Sequence, residues 1–321
     1  MKRMVFPVLG WTLCLVAAVC AETAQKPADN AALRYWMAFA QMNNSQISPS
    51  DLLRMDAMIN RGLPWDEEKF GSFVAQNRAA IETMIRATSL PYCEWGVESN
   101  LGPEAPIEYV PKARTMARLN SLYGMRLEAT GHEDGAVRAA IAGIRFAQHL
   151  SENASFIGTL IAQSALIPQL KFATQLSRHG HLSAENESVL RHAVRALPEG
   201  AFDWSAAARV EGVTLHSVFA NLAHANNPKI TYEKWFGDVT SNFHVPTQKE
   251  LAALDHAWTD YANLLGLPPQ EAQDQLPTLQ KEIANLDPVL RVGMPDPAHM
   301  VAARAELIKA QHATAEALGI Q

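Results

Sequence analysis

Apolar residues recur along this chain at spacings of three and four, and the strict alternation of a half-buried strand is nearly absent. Residues 31–42 place Leu33, Trp36, Met37 and Ala40 at i, i+3, i+4 and i+7, which predicts an amphipathic helix with that face toward the core. Ser48 or Ser50 can cap a second helix running to about Asn60, and Gly62 can end it in the left-handed conformation. Pro64 and the acidic turn Asp66-Glu67-Glu68 open a third, with Phe70, Phe73, Val74, Ile81 and Ile85 as its stripe. From Pro91 to Pro111 the prolines, with Gly96 and Gly102, predict a long irregular loop, a kind of segment that is usually functional or packed by its own side chains.

Helical spacing resumes over residues 112–130, 135–150 and 154–178, the last carrying Pro168, which is expected to kink it. Ser183 precedes a helix over 185–197, and 202–225 reads as long and amphipathic. Residues 226–246 read as a polar connection holding a small clasp of Tyr232, Trp235 and Phe236. Helices over 247–265, 268–286 and 298–318 complete about ten or eleven. The expected class is all-α, a multi-helix bundle or an irregular array of helical hairpins. Gly124, Gly131, Ala136, Ala140 and Gly143 put small residues where helices can cross closely, and this pair resembles a tetratricopeptide-type hairpin. Only one such unit is visible, so a hairpin within a bundle is the expected arrangement.

The first residues change the picture. Met1-Lys2-Arg3 followed by the uncharged apolar run 4–19 reads as a signal peptide, with cleavage near Ala21 and a flexible tether over 22–30. Lipidation of Cys20 is the lesser alternative, because Val19 is a poor fit to the small residue that precedes such sites. The chain is therefore expected to be exported, periplasmic or secreted, with its helical domain over 31–321 and a possible sub-division near 226–246. No later apolar run approaches the ~18 residues of a membrane-spanning helix. Lys plus Arg number 27 against 33 Asp plus Glu, a net charge of −6. Loss of Lys2 and Arg3 with the leader takes the 27 to 25 against the same 33, a net of −8. That balance, with no basic run, speaks against nucleic acid as a partner. Of 3 cysteines only Cys93 lies outside the leader, so no disulfide framework is expected.

Around Cys93-Glu94-Trp95-Gly96 the chain resembles a group of exported, all-helical bacterial proteins of unknown function. The likeness runs from the helix Ala31-Ala32-Leu33-Arg34-Tyr35-Trp36-Met37 through this motif to Gly102-Pro103, then Pro111 to Arg114 and Gly131 to Gly135. It continues through Arg145-Phe146-Ala147-Gln148-His149-Leu150 and, more faintly, the helix around Glu211. Members of the group continue into a Tyr-Arg and Gly-x-Tyr-Pro segment that this chain does not carry. The resemblance implies an all-helical exported protein and assigns no catalytic residue.

The candidate chemistry is sparse. Cys93 beside Glu94 could be a thiol nucleophile if a histidine joined it and its pKa were lowered, whereas a buried free cysteine, with Trp95 pinning the loop and Glu94 paired to an arginine, is the simpler reading. Among 11 histidines, His179, His181 and His192 are the tightest group of possible metal ligands, His216 and His224 lie two turns apart, and Asp255-His256 with Asp260 gives an i, i+4 pair. None matches a zinc signature, and no metal or other cofactor is expected. Glu211 interrupts an apolar stretch five residues before His216. It is expected to be neutralised by Arg114 or Arg145, since an unpaired buried charge is costly, but could serve with His216 as an acid–base pair. Tyr35, Trp36, Trp65 and Trp95 could form an aromatic cleft, although aromatics at helical spacing are more often core. The expected function is binding or scaffolding in the cell envelope, toward another envelope protein or a peptide held in a helix-lined groove. The alternative is an envelope hydrolase using Cys93 or the Glu211/His216 pair.

Overall fold

The computed structural model describes residues 29–43, 48–152, 155–179, 182–237 and 243–320; the leader, Cys20 and His181 lie outside them. It is all-α, 77% helical, with 14 α-helices and no strand among the described residues. None of these helices is long and apolar enough to cross a membrane. In chain order they are α1 (Ala31–Gln41), α2 (Pro49–Arg61), α3 (Glu67–Gln76), α4 (Arg78–Ala87), α5 (Tyr109–Ala129), α6 (Glu133–Ser151) and α7 (Phe156–Arg178). Then follow α8 (Ala184–Arg195), α9 (Trp204–Asn221), α10 (Pro228–Phe236), α11 (Gln248–Gly266), α12 (Pro269–Ala284), α13 (Pro288–Arg291) and α14 (Pro297–Ala317).

The centre is the trio α5, α6 and α7, each packed on the other two. α5 and α6 form a hairpin through Gly131, whose φ of 77° needs the freedom of glycine. Its small residues serve a third helix as well as each other. A Cβ on Gly124 would stand 2.6 Å from the Phe172 ring, and one on Gly143 2.3 Å from Gln169, both on α7. Within the hairpin, Asn120 Nδ2 donates to the Ala139 carbonyl at 2.9 Å. α1 and α4 cover one end of the trio, α14 lies along α7, and α9 pairs closely with α11, which carries α12.

Three expectations need correction. α1 buries Ala31, Ala32, Tyr35, Ala38 and Phe39, while Leu33 and Met37 are about half exposed (49% and 48%). The bulk of Leu33 and Met37 dominates the hydropathy pattern, but the face of alanines interleaved with Tyr35 and Phe39 is the one that lets α4 approach closely. The third helix is two, α3 and α4. Buried Asn77 divides them, its amide donating to the Phe73 carbonyl at 3.0 Å while its Oδ1 accepts from the Asn43 N–H at 2.8 Å. Residues 228–236 form α10 inside the stretch read as a connection, capped by Asn227 and anchored by Tyr232, whose hydroxyl donates to the Val289 carbonyl at 3.0 Å. As expected, α7 runs through Pro168 as one helix, and it packs on α6 and α14.

Candidate functional site

Asn30 fixes where the loop after α4 meets the helices. Its side chain accepts from the Glu94 N–H and donates to the Glu94 carbonyl, both at 2.9 Å, while the Ala31 N–H donates to Tyr92 O at 2.8 Å. This clip drives Cys93 and Trp95 inward and leaves Glu94 exposed. The Glu94 carboxylate accepts from the Tyr92 hydroxyl, so it is not a base beside the thiol and has no arginine partner among the described residues. Arg145, on α6, donates instead to the Pro91 carbonyl at 3.4 Å. Trp95 stacks between Tyr109 (4.6 Å between ring centroids) and Tyr35 (5.5 Å), and its indole donates to the His149 carbonyl at 3.0 Å.

Behind the loop lies a polar cluster invisible in the sequence. Burial, with the nearby Cys93, holds the Tyr35 phenol well above its ordinary pKa, so its hydroxyl stays protonated, and it is hydrogen-bonded to His149 Nδ1 at 2.6 Å. His149 is fully buried, and burial first, then the Arg145 charge, pushes its pKa down to about 3 against the pull of the Leu90 backbone. The imidazole is thus neutral, and its Nε2 lies 3.8 Å from Glu152 Oε1. The other oxygen of Glu152 accepts from the Cys93 N–H at 3.0 Å. Burial, and then this carboxylate, push the Cys93 thiol far above its ordinary range. A catalytic cysteine requires the opposite shift. Cys93 is therefore expected to react slowly with an aromatic disulfide reagent in the folded protein and at full rate in urea; rapid native labelling at neutral pH would contradict this burial.

Glu211 and His216 face apart on α9. His216 Nδ1 pairs with Asp255 Oδ1 of α11 at 2.8 Å, both near the surface, in a groove of about 410 Å³ that also exposes Arg209 and Ser217. Glu211 meets neither Arg114 nor Arg145: its Oε2 accepts weakly, at 3.4 Å, from the Phe156 N–H. That N–H opens α7, where the helix dipole favours an acceptor, and this contact takes the place of the expected arginine. Burial raises the Glu211 pKa and the Phe156 bond partly opposes it. Glu211→Gln keeps an acceptor and removes a poorly solvated charge, so it should melt within about 0.5 kcal/mol of wild type at pH 7, and Glu211→Ala should lose about 1–3 kcal/mol. Because the folded carboxyl binds its proton more readily than the unfolded one, any advantage of glutamine should shrink from pH 7 to pH 5. Urea melts at both pH values read this directly.

The histidine groups disperse as well. His179 Nδ1 bonds Glu128 Oε1 at 2.5 Å, and exposed His192 sits a helix away on α8, so the two are not in one ligand set. His224 lies exposed in a 3-10 turn beyond α9. His256 does meet Asp260 (3.4 Å) and, across to α12, Glu282 (2.9 Å), and those carboxylates raise its pKa, Glu282 foremost, favouring imidazolium over a metal-ready lone pair. The aromatic quartet makes no common cleft. Tyr35 and Trp95 are core, Trp36 lies at the surface with the Lys112 ammonium 5.6 Å from its ring centroid, and Trp65 packs on Phe70.

A row of further concave features lies along α7. Its first stretch, about 520 Å³, is lined by Arg118, Gln163, Ser164, Pro168 and Lys171. It shares Asn60, Ile167, Lys171 and Glu306 with a second stretch of about 490 Å³, and that shares Gly62 and Gln175 with a third of about 460 Å³ reaching Trp65 and His179. α7 forms the floor of all three; the first two stretches lie between α2 and α14, whereas the third lies between the 62–65 segment and α5, set off from the second where the Gly62 backbone meets the Gln175 side chain. From Gln163 to His179 the floor spans about 24 Å at helical rise. Pro168 has no N–H to return to the Ser164 carbonyl, and both residues line the groove.

Comparisons with family models, with curated proteins and with solved structures find no match to this chain. The groove and the buried Tyr35–His149–Cys93 cluster are therefore read on their geometry alone. The cluster has the geometry of a fastening: every group in it either anchors the 91–95 loop or is held neutral by burial. Sequence reading passed over the groove because its walls come from α2, α5, α7 and α14, far apart in the chain. One signal was available. Lys171 and Arg178 are the only charged residues of α7, two turns apart on one side of an otherwise uncharged helix.

Proposed function

We propose that this chain is a helical binding module that acts after export, in the cell envelope, by holding a short extended peptide segment of a partner protein along α7. The observation that carries this reading is that the first two stretches share Asn60, Ile167, Lys171 and Glu306 and together follow residues 163–178 of α7. That length accommodates roughly seven residues of extended chain at ~3.3 Å each. The freed Ser164 carbonyl and the Gln175 side chain along the floor are suited to the backbone of such a segment, while Ile167, Ala310 and Ala313 offer it apolar contact. The hydrolase alternative has less support: the Cys93 thiol is held protonated, and Glu211 and His216 have different partners on different sides of α9.

Selection of a displayed random heptapeptide library on the folded protein tests the reading. Peptides should be enriched, and their binding should be lost in Ala313→Trp, which fills the groove from an exposed position without disturbing the core. Failure to enrich any peptide, or enriched peptides indifferent to the plug, would overturn it.

A further inference from the structure

The charge along this groove is out of keeping with the molecule. The chain is net acidic at −6, yet its middle stretch gathers Arg61 from the end of α2, Lys171 and Arg178 from α7, and Lys309 from α14. None of these four is in an ion pair among the described residues, and what sets them apart from other unpaired cations is that they line one stretch of the groove. The acidic groups near them are few. Glu306 shares the same stretch, Asp56 farther along is taken up by Arg118 at 3.5 Å, and Glu128 at the other end by His179. The concave walls concentrate the field of these four cations, which share their stretch with a single carboxylate, Glu306. Lys171 and Arg178 stand about 10 Å apart along the helix axis, close to the span of three extended residues.

We infer that the groove selects an acidic peptide, one whose Asp or Glu side chains engage Arg61, Lys171, Arg178 and Lys309 while apolar residues between them rest on Ile167, Ala310 and Ala313. This rests on the peptide-binding reading above and adds the chemistry of the partner. Electrostatic complementarity of this kind sets specificity and association rate, and it weakens as salt screens exposed charges.

The test uses three labelled octapeptides of equal length, alternating Leu with Glu, Gln or Lys, titrated by fluorescence anisotropy against the mature protein. The Glu peptide should bind at least ten-fold more tightly than the Gln peptide at 50 mM NaCl, and that ratio should fall several-fold at 500 mM. The double variant Lys171→Glu/Arg178→Glu, with both changes on the groove's rim, should lose the preference and favour the Lys peptide; its thermal melt should match wild type. If that variant does not fold, the salt dependence of wild type still decides. Equal binding of the Glu and Gln peptides, both blocked by Ala313→Trp, would overturn the charge selection and leave peptide binding standing. No groove-dependent binding of any of the three, with laurate bound there instead, would overturn both and identify a small amphiphilic anion as the occupant.

Discussion

Acidification from pH 7 to pH 4.5 should weaken the fold steeply, and His149 should set much of the slope. Its folded pKa of about 3 lies below the ordinary 6.5 of an unfolded chain. Between those values the unfolded state binds a proton that the native state refuses. The contribution is fully present above about pH 6.5 and is lost at about 1.4 kcal/mol per pH unit as pH falls toward 3. Two other groups work the other way. Burial raises the carboxyls of Glu152 and Glu211, so their protonation favours the native state and offsets part of the loss at the acid end. The cleanest window is therefore the upper one, from 6.5 down to about 5.5. His149→Gln removes the titrating group but can still hydrogen-bond the Tyr35 hydroxyl. It should be less stable than wild type at pH 7.5 and should show a flatter dependence below 6.5. Urea melts at half-unit intervals measure both; an unchanged slope in the variant would mean that His149 is not held neutral by burial.

Trp95→Ala should produce the largest single loss of stability, about 3–5 kcal/mol, the range for removing a buried aromatic. Trp95 is 7% exposed, lies against Tyr35, Phe39 and Tyr109, and ties the loop to α6 through the His149 carbonyl. Because the same ring pins the segment carrying Cys93, the variant should also label that thiol faster under native conditions than wild type does. Melts and labelling rates measured on one sample separate the two effects. Lost stability with unchanged labelling would place the loop's anchor at the Asn30 clip instead.

How much of this was readable beforehand depends on whether a feature is local. The helical class followed from spacing alone, and the caps at Ser48 and Ser183 are side chains that accept a hydrogen bond within three residues. The number of helices did not follow, because Asn77 ends α3 through its own side chain in the midst of unbroken apolar spacing, and because α10 is only nine residues long inside a largely polar stretch. The face of α1 was misread for a different reason: hydropathy weighs Leu33 and Met37 above Ala31 and Ala38, while close helix packing rewards small residues. For the candidate sites, the sequence pointed to the Cys93–Trp95 segment but not to Tyr35, His149 and Glu152, which join it across more than fifty residues. The α7 groove is less legible still. Arg61, Lys171 and Lys309 become neighbours only once α2 and α14 dock on either side of α7, and no periodicity reports that event.

The occupancy of that groove is the central claim, and a hydrogen-exchange footprint tests it most directly. Backbone amides are followed in the free protein and with the Glu/Leu octapeptide in excess. Protection should rise over residues 163–178 of α7 and on the facing parts of α2 and α14, with the groove between α9 and α11 unchanged. Protection confined to α9 and α11, or none anywhere under conditions where the peptide is bound, would contradict it.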